Sequence, residues 1–466
     1  MSHLAPTLAD LSSAELAAGF RAGEFDPVAV LDAVAERAAA CEPTLNALWH
    51  EDFEAARMSA AESAARWRAG EPRSPLDGVP VTIKENIAKR GVAMPAGNAA
   101  GDPQPVACDA PVTAHLRAAG ALVFASTVMP DWGMLSSGVS SRHGITRSPL
   151  DPALTTGGSS SGAGAAAAAG YGPIHIGTDI GGSIRLPGTW LGLATLKPSF
   201  GRVPLDAPYL GRAAGPIARR VSDLVAAMDI IGRPDVRDYS QLPPLDGDYT
   251  VADYSVVGKR IAVLTDAGCG MPTDPEVAAT VTAAAGLFEA EGAEVTSIEP
   301  FMDERLLNDI DRFWRVRSWA DYKRLDSDDQ RKILPYVAQW CLAGADIPGS
   351  ELMRCYHGIQ EMRRATVAAT AEFDLVLSPV APVAAFPAEW PMPFNDPTQT
   401  MGHISFTVPY NMSEQPAASV NAGYTVDGRT VGLQIAGRRF DDAGVLAAAA
   451  WFEARAEVPQ PVRVVG

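Results

Sequence analysis

The sequence predicts an α/β fold, a single large sandwich with a central sheet covered by helices, because short apolar runs alternate with segments of helical periodicity. The chain has 466 residues, of which 47% are hydrophobic, and this is enough for a large core. It contains no internal repeat and no linker rich in proline, glycine and serine. We therefore predict one domain over residues 1–466.

The N-terminal part is predicted to be helical. Asp26 is a suitable N-cap, and Pro27 suits the first helical position. Apolar residues then recur at helical spacing: Leu31, Val34, Ala38 and Cys41. A second, alanine-rich helix is predicted over residues 51–70.

Strands and helices alternate through the rest of the chain. Strands are predicted at residues 79–83, 121–125, 174–176, 260–264, 375–377, 417–420 and 431–435. Helices are predicted at residues 111–120, 160–169, 275–292 and 443–453. The helix at 160–169 consists almost entirely of small residues, which suits close packing on a sheet. Residues 301–372 have weak strand signals and are predicted to form helices and loops over the core.

The charge and the cysteines limit the possible partners and location. The net charge is −17, so phosphate backbones and anionic membranes would repel the protein, and we predict no binding to nucleic acid or membranes. Five scattered cysteines without C-x-x-C spacing indicate reduced thiols in a cytoplasmic protein. Residues 1–6 lack the basic start of a secretory signal, and no apolar run is long enough to span a membrane.

Two glycine–serine segments have the composition of a nucleophilic active site. They occupy residues 157–162 and 181–185, and Ser159 and Ser183 are 24 residues apart. Glycines let the backbone approach a substrate closely, and adjacent N–H groups can converge on a developing oxyanion. Both segments lie in apolar sequence. Asp179 and Arg185 flank the second one, where pairing between them would hold the turn rigid.

A serine nucleophile needs a base, and Lys84 is the candidate. It follows an apolar run at residues 79–83, and a lysine becomes a base once burial makes it neutral. Isolated lysines are, however, more often solvated, and glycine–serine runs are more often flexible linkers. From the residues alone, a Lys–Ser–Ser site and these structural interpretations both stay open.

Other catalytic motifs fit less well. Residues 158–162 match G-x-S-x-G, which would make Ser160 the nucleophile of an α/β-hydrolase. That motif follows an apolar strand, whereas residues 148–156 are loop-like, so we disfavour this alternative. The seven histidines lack metal-ligand spacing, and we predict neither a metal nor a cofactor.

Three segments in this order resemble the amidase signature family. They are a lysine segment at residues 75–86, a glycine–serine block at residues 155–202, and a late strand at residues 432–438. The resemblance covers most of the chain. It implies a mixed central sheet, a helical N-terminal part (about 8–70), a signature core (about 75–205), a variable helical and loop region (about 301–372), and C-terminal strands with a helix (about 373–456).

The resemblance also implies roles for individual residues. Ser183 matches the nucleophile, Lys84 the base, and Ser159 the bridging serine, which in the family follows a cis peptide bond. The family's oxyanion hole is matched by four backbone N–H groups of this chain, those of Ile180, Gly181, Gly182 and Ser183. Supporting positions are Ser160, Thr178, Asp179 and Arg185. The implied partner is a small amide substrate, and the protein is expected to be a monomer or homodimer.

Tryptophans are the candidates for the substrate pocket. Trp132 stands where the family often has a pocket aromatic, although core packing explains it equally well. Four more come from the variable part of the chain and are predicted to line an apolar mouth: Trp314, Trp319, Trp340 and Trp390.

The departures from the family pattern bear on the substrate. Leu186 follows Arg185 where glutamine is typical of the glutamine-hydrolysing subunit of tRNA-dependent amidotransferases. Further departures are Asp77, Glu85, Trp190 and Asn421. We therefore predict a stand-alone hydrolase of small aryl or alkyl amides. The alternatives are a hydrolase of hydrazides, esters or urea-type bonds and the glutamine-hydrolysing amidotransferase subunit. A catalytically dead scaffold is disfavoured because all three triad positions are occupied.

Overall fold

A mixed sheet of 11 strands forms the centre of the protein in this computed structural model, which describes residues 7–249, 251, 253–399 and 401–463. The strands of this sheet are β1 (Leu48–Glu51), β2 (Pro80–Lys84), β3 (Leu122–Thr127), β6 (Ile174–Asp179), β7 (Ala194–Lys197), β8 (Ala213–Ala218), β9 (Arg260–Val263), β10 (Glu294–Ser297), β11 (Leu375–Pro379), β12 (Ala417–Tyr424) and β13 (Thr430–Gly437). Two short strands pair separately, β4 (Val139–Ser140) and β5 (Gly144–Ile145).

The sheet order is β1-β3-β2-β6-β8-β7-β12-β13-β11-β9-β10. Parallel pairs join β2 to β3 and β6, and β9 to β10 and β11. The remaining neighbours, from β6 through β13 to β11 and at β1, are antiparallel. The predicted α/β fold with a mixed sheet is confirmed. The division into one domain over residues 1–466 stays a prediction, and residues 1–6, assessed above for a signal, lie outside the described residues.

Helices cover the sheet. Their bounds are α1 (Ser13–Ala22), α2 (Pro27–Leu45), α3 (Phe53–Ala69), α4 (Pro111–Ala118), α5 (Ser161–Ala169), α6 (Arg185–Leu191), α7 (Val221–Ile231), α8 (Pro275–Ala290), α9 (Glu304–Tyr322), α10 (Ser327–Gln330), α11 (Pro335–Leu342), α12 (Gly349–Thr370), α13 (Val408–Met412) and α14 (Asp442–Arg455). In the described ranges, no helix is both long and apolar enough to cross a membrane.

Local sequence explains where several helices begin and end. The Asp26 carboxylate accepts the Ala29 N–H at the start of α2, and Pro27 occupies the first turn, as predicted. Gly70 adopts a left-handed conformation, with φ of 76°, and ends α3. The four apolar residues predicted to line one face of α2 are all buried.

Helix α5 is buried along its whole length because its residues are small. It packs against β6, β8 and α6. A Cβ on Gly162 would lie 2.3 Å from the Ala47 carbonyl oxygen, so only glycine allows this approach. The close packing fixes the start of α5, and Ser159 lies just before that start.

Helices α9, α11 and α12 surround a second hydrophobic cluster beside the sheet, as expected for residues 301–372. Trp314, Val337, Trp340 and Met362 are buried in this cluster. Ile404 and Leu186 belong to it as well. Because Leu186 follows the second glycine–serine segment, this cluster lies against the loop that carries Ser183.

Candidate active site

The fold brings Lys84 and Ser159 into contact across 75 residues of sequence. Lys84 is the last residue of β2, and Ser159 lies two residues before α5. A hydrogen bond of 2.7 Å joins Lys84 Nζ and Ser159 Oγ. A second, of 3.1 Å, joins Lys84 Nζ to Thr178 Oγ1 on the parallel neighbour β6. The predicted lysine–serine pair is thus assembled at the carboxyl ends of the neighbouring strands β2 and β6.

The environment of Lys84 favours a neutral amine. Its side chain is fully buried, with 0% exposure. Burial, and then the positive charge of Arg212, lower the pKa of Lys84 from its ordinary 10.5 to about 7, while Asp179 and Glu85 oppose this shift. A large fraction of Lys84 is therefore deprotonated at neutral pH and can accept a proton from Ser159.

Ser160 connects the two serine segments. The peptide bond between Gly158 and Ser159 is cis. Ser160 N–H donates to the Ser183 carbonyl at 3.2 Å. Ser160 Oγ donates to the Thr178 carbonyl at 3.2 Å and accepts the Thr178 N–H at 3.3 Å. Because Ser160 is fully buried and bonded to the backbone, its hydroxyl lacks the exposure that a nucleophile needs.

Ser183 lies in the wall of the cavity that also contains Ser159. It is partly exposed. Its Oγ forms no hydrogen bond with another residue in the described ranges, so the hydroxyl is free toward the cavity. No hydrogen bond links Ser159 to Ser183 in this part of the chain, and the two hydroxyls face a common space.

Asp179 shapes the turn that carries Ser183. Its carboxylate accepts the N–H of Gly182 at 2.8 Å and of Ile184 at 3.0 Å. It also pairs with the Arg185 guanidinium at 2.9 Å, and both side chains are completely buried. Burial alone would raise the pKa of Asp179, but the charge and hydrogen bonds of Arg185 hold it well below its usual range. The predicted Asp179–Arg185 pair is present and holds the turn.

This geometry changes the predicted set of oxyanion donors. The Gly182 N–H is taken up by Asp179 Oδ1, so it is not a free donor. Gly182 has a φ of 129°, which lets the chain turn there. The N–H groups of Ile180, Gly181 and Ser183 have no acceptor among the described residues. They are the three donors available to a substrate oxygen.

Three residues that support the turn were not assigned a role from the sequence. Arg185 donates to Gln434 Oε1 at 2.8 Å and to Asn411 Oδ1 at 2.6 Å. Thr407 Oγ1 donates to the Gly181 carbonyl at 2.6 Å. Gln434 could have been singled out from the sequence, because it is a polar residue inside the apolar run of β13. Thr407 and Asn411 come from a segment without a recognisable motif.

A cavity of about 710 Å³, part of which is open to solvent, adjoins the two serines. Trp132, Trp314 and Trp340 line it, in agreement with three of the five tryptophan predictions. The predictions for the other two are wrong. Trp319 packs beside Tyr322, and Trp390 lies outside the lining and is 37% exposed.

Polar residues of the cavity were also missed. Asn86 Nδ2 donates to Thr178 Oγ1 at 3.0 Å beside Lys84. Arg212 lines the cavity from the loop before β8, and Arg317 lines it from α9. Among the residues that the structure describes, no group of three or more His, Cys, Asp or Glu side chains could hold a metal ion.

Comparison with known proteins identifies the family. The family model described as Amidase matches residues 29–446. The chain belongs to the amidase signature family. It is 33% identical over 455 residues to an acylamidase of Rhodococcus erythropolis, covering 95% of both chains. It is also 33% identical over 470 residues to a subunit of the glutamyl-tRNA(Gln) amidotransferase of Halorhodospira halophila, covering 93% of this chain and 94% of the relative.

A solved structure extends the comparison. A bacterial aryl acylamidase of the amidase signature family matches with a TM-score of 0.88 and 27% identity, and the match covers 96% of each chain. The present chain is therefore an amidase, a hydrolase of C–N bonds in linear amides.

Proposed function

We propose that this amidase hydrolyses small aryl or alkyl amides through an acyl-enzyme on Ser183. The observation that carries the proposal is the 2.7 Å hydrogen bond from buried Lys84 to Ser159, beside a cavity that also exposes Ser183. The acylamidase and aryl acylamidase similarities support the substrate class. Three tryptophans and Leu186 in the cavity suit an apolar group on the substrate.

The proposed mechanism begins with proton transfer. Neutral Lys84 takes a proton from Ser159, and Ser159 takes one from Ser183, which attacks the amide carbonyl carbon. The carbonyl oxygen becomes an oxyanion stabilised by the N–H groups of Ile180, Gly181 and Ser183. The relay then runs backwards and protonates the leaving nitrogen, so that the C–N bond breaks and an amine or ammonia departs.

Deacylation repeats the sequence with water. Lys84 and Ser159 remove a proton from water, which attacks the acyl-enzyme, and the proton returns to Ser183 as the carboxylate leaves. We propose that the substrate enters the cavity beside Ser159 and Ser183. Its binding then brings the two hydroxyls within hydrogen-bonding distance of each other. The relay needs neither a metal nor a cofactor.

A glutamine-hydrolysing amidotransferase subunit is the alternative, and the Halorhodospira halophila relative is its support. The cavity favours the amidase. Leu186 follows Arg185 and lines the cavity, and three tryptophans and two methionines form an apolar part of its wall. Copurification with partner chains would favour the alternative.

We also propose a single-domain protein that acts in the cytoplasm as a monomer or homodimer. The scattered cysteines and the acidic charge support this location. A sheet that takes strands from Leu48 to Gly437 supports the single domain.

The nucleophile can be tested directly. Ser183→Ala should lower kcat roughly a thousandfold or more, because the covalent step is removed while the fold is retained. Mass spectrometry of the wild type after treatment with a fluorophosphonate should locate the adduct on Ser183. Ser136→Ala removes another serine of the cavity and serves as a matched control that is still labelled at Ser183. An adduct on Ser160 would contradict the assignment.

A further inference from the structure

Two arginines project positive charge into the cavity. Arg212 and Arg317 line it together with Ser159 and Ser183. Both guanidinium groups stack on the same ring, that of Tyr209, at 5.3 Å and 5.0 Å from its centroid. The Tyr209 ring therefore holds the two charges near each other at one side of the cavity.

In the described ranges, Arg212 and Arg317 form no ion pair and no side-chain hydrogen bond with a carboxylate. The carboxylate that lines the cavity, Asp179, is already occupied by Arg185. Burial, and then the charge of Arg317, lower the pKa of the Arg212 guanidinium, as expected where like charges lie close together. Both side chains are partly exposed, so their charges are accessible to an anion in the cavity.

The positions of the two arginines are set by ordered elements. The Arg212 N–H donates to the Tyr209 carbonyl at 2.9 Å and closes a turn in which Gly211 has a φ of 71°. Arg212 directly precedes β8, whose Ala213 pairs with Asp179. The antiparallel register therefore places Arg212 opposite Ile180, beside the proposed oxyanion donors.

Arg317 belongs to the face of α9 that covers the cavity. Trp314 and Ser318, three residues before it and one after it, line the same cavity. The Trp314 ring and the Arg317 guanidinium thus meet the substrate space side by side. The apolar tryptophan wall and the two arginine cations therefore border the same cavity.

We propose that Arg212 and Arg317 bind a carboxylate carried by the amide substrate. This inference rests on the proposed function and narrows it from small aryl or alkyl amides in general to those that bear an acidic group. Guanidinium groups recognise carboxylates through charge-assisted, often bidentate hydrogen bonds. The rest of the substrate then lies against the tryptophans, with the scissile amide between Ser183 and the free N–H groups.

The experiment compares matched charged and neutral substrates. One pair places the acid on the acyl side, N-phenylsuccinamic acid against butyranilide. The other places it on the amine side, 4-acetamidobenzoic acid against acetanilide. In at least one pair, the wild type should show a kcat/KM roughly 10- to 100-fold higher for the acid, the value of a charge-assisted contact.

Variants assign that preference to the arginines. Arg317→Gln should reduce the acid-to-neutral ratio of kcat/KM toward one. Arg317→Lys should give an intermediate ratio, because lysine keeps the charge but cannot donate two parallel hydrogen bonds from a planar guanidinium. Arg212→Gln should also reduce the ratio, although Arg212 acts on Lys84 as well, so the ratio and not the absolute rate is compared. Arg324→Gln, an exposed arginine just beyond α9, is the matched control and should leave the ratio unchanged.

The outcomes separate this inference from the proposed function. Hydrolysis of the neutral anilides without preference for either acid would overturn the carboxylate site and leave the amidase mechanism intact. A preference that survives both Arg317→Gln and Arg212→Gln would equally overturn it. Failure to hydrolyse any of the four, together with no fluorophosphonate adduct on Ser183, would instead contradict the proposed function.

Discussion

Lys84 combines complete burial with contact to two hydroxyl groups, and this combination explains how an amine can act as a base. A solvated lysine is charged at neutral pH and has no lone pair to offer. In this structure burial disfavours the charged form, and Arg212 adds like-charge repulsion. The hydroxyls of Ser159 and Thr178 hold the amine in place, and no carboxylate in the described ranges forms a direct ion pair with it.

The pH dependence follows from the pKa of Lys84. We expect kcat/KM for a neutral amide to rise with pH through about 7 and to stay high on the alkaline side, because only the deprotonated lysine accepts a proton. Lys84→Ala should lose most amidase activity across this range, and less activity toward activated esters, whose leaving groups need no proton. Initial rates from pH 5 to about 9.5 provide the measurement.

Lys89 offers a matched control for this profile. It is also buried, and burial lowers its pKa to about 8, but it does not line the cavity. Lys89→Met should therefore keep the midpoint of the pH profile near 7. Wild-type kcat/KM in Lys84→Ala would rule out the lysine as the base, even if Ser183 stayed the nucleophile.

At the scale of residues, the sequence supplies the triad candidates because each stands in a short motif, and their catalytic roles stay a prediction. Lys84 directly follows a predicted strand and Ser159 directly precedes a predicted helix, and a hydrogen bond joins the two side chains. Ser183 lies beyond the predicted strand at 174–176, in the turn between β6 and α6. The Gly182 N–H could not be assigned correctly from sequence. Its orientation depends on Asp179, whose rotamer is fixed by Arg185 and by Asn411, more than 200 residues away.

The turn between β6 and α6 is the element on which the site depends. Asp179, Arg185 and their partners on α13 and β13 form a buried network that holds the turn and its proposed oxyanion donors. Removing one member of a buried ion pair leaves an uncompensated charge. This costs about 3–5 kcal/mol of unfolding free energy.

Arg185→Met should therefore lower the free energy of unfolding by about 3–5 kcal/mol and should also reduce kcat of the remaining folded protein, because the donors of the turn lose their alignment. Arg202→Met is the matched control. Arg202 pairs with buried Asp442 at 3.3 Å and does not line the cavity. Denaturant unfolding and rates measured well below the unfolding midpoint give the two quantities.

Arg202→Met should be destabilised to a similar degree but should keep its kcat. If both variants lost the same fraction of activity at equal folded population, the turn would have no special role. The comparison thus separates the stability of the fold from the alignment of the turn.

Sequence periodicity predicts only part of the structure around this turn, because the adjoining helices α6 and α13 and several strands of the sheet were not predicted. The predicted strand at 174–176 extends to Asp179, and β1, β7, β8 and β10 were not predicted. In β8, Gly215 and Pro216 argue against a central strand. A Cβ on Gly215 would lie 2.2 Å from the Leu196 carbonyl oxygen, so glycine permits the approach of β7. This reason exists only in the folded sheet.

Several basic side chains in the described part of the molecule are buried. Burial lowers the pKa of His175 and of His403 to about 3, of Lys84 and Lys197 to about 7, and of Lys89 to about 8. Each group binds protons more weakly in the folded state than in the unfolded state. Between its folded and unfolded pKa values, the free energy of unfolding therefore rises with pH. This window is about 3 to 6.5 for the histidines and about 7 to 10.5 for the two fully buried lysines.

Buried acids act in the opposite direction. Burial raises the pKa of Glu453 to about 7, so this group lowers stability as pH rises from 4.5 to 7. Burial also raises the pKa values of the Cys269 and Cys341 thiols from 9.0 to about 12, so they lower stability above pH 9. Between about pH 7 and 9, the lysines dominate the balance.

We expect the free energy of unfolding to rise between pH 7 and 9, with a contribution of up to roughly 1.4 kcal/mol per pH unit from each fully buried lysine. Lys197→Met should reduce this rise by about two fifths, because Lys84 and Lys89 retain their own contributions. Lys323→Met, at an exposed lysine, is the control and should leave the rise unchanged. Urea unfolding at half-unit pH steps measures the curve. A wild-type curve that is flat or falling between pH 7 and 9 would show that the buried lysines do not carry the lowered pKa values on which the catalytic role of Lys84 depends.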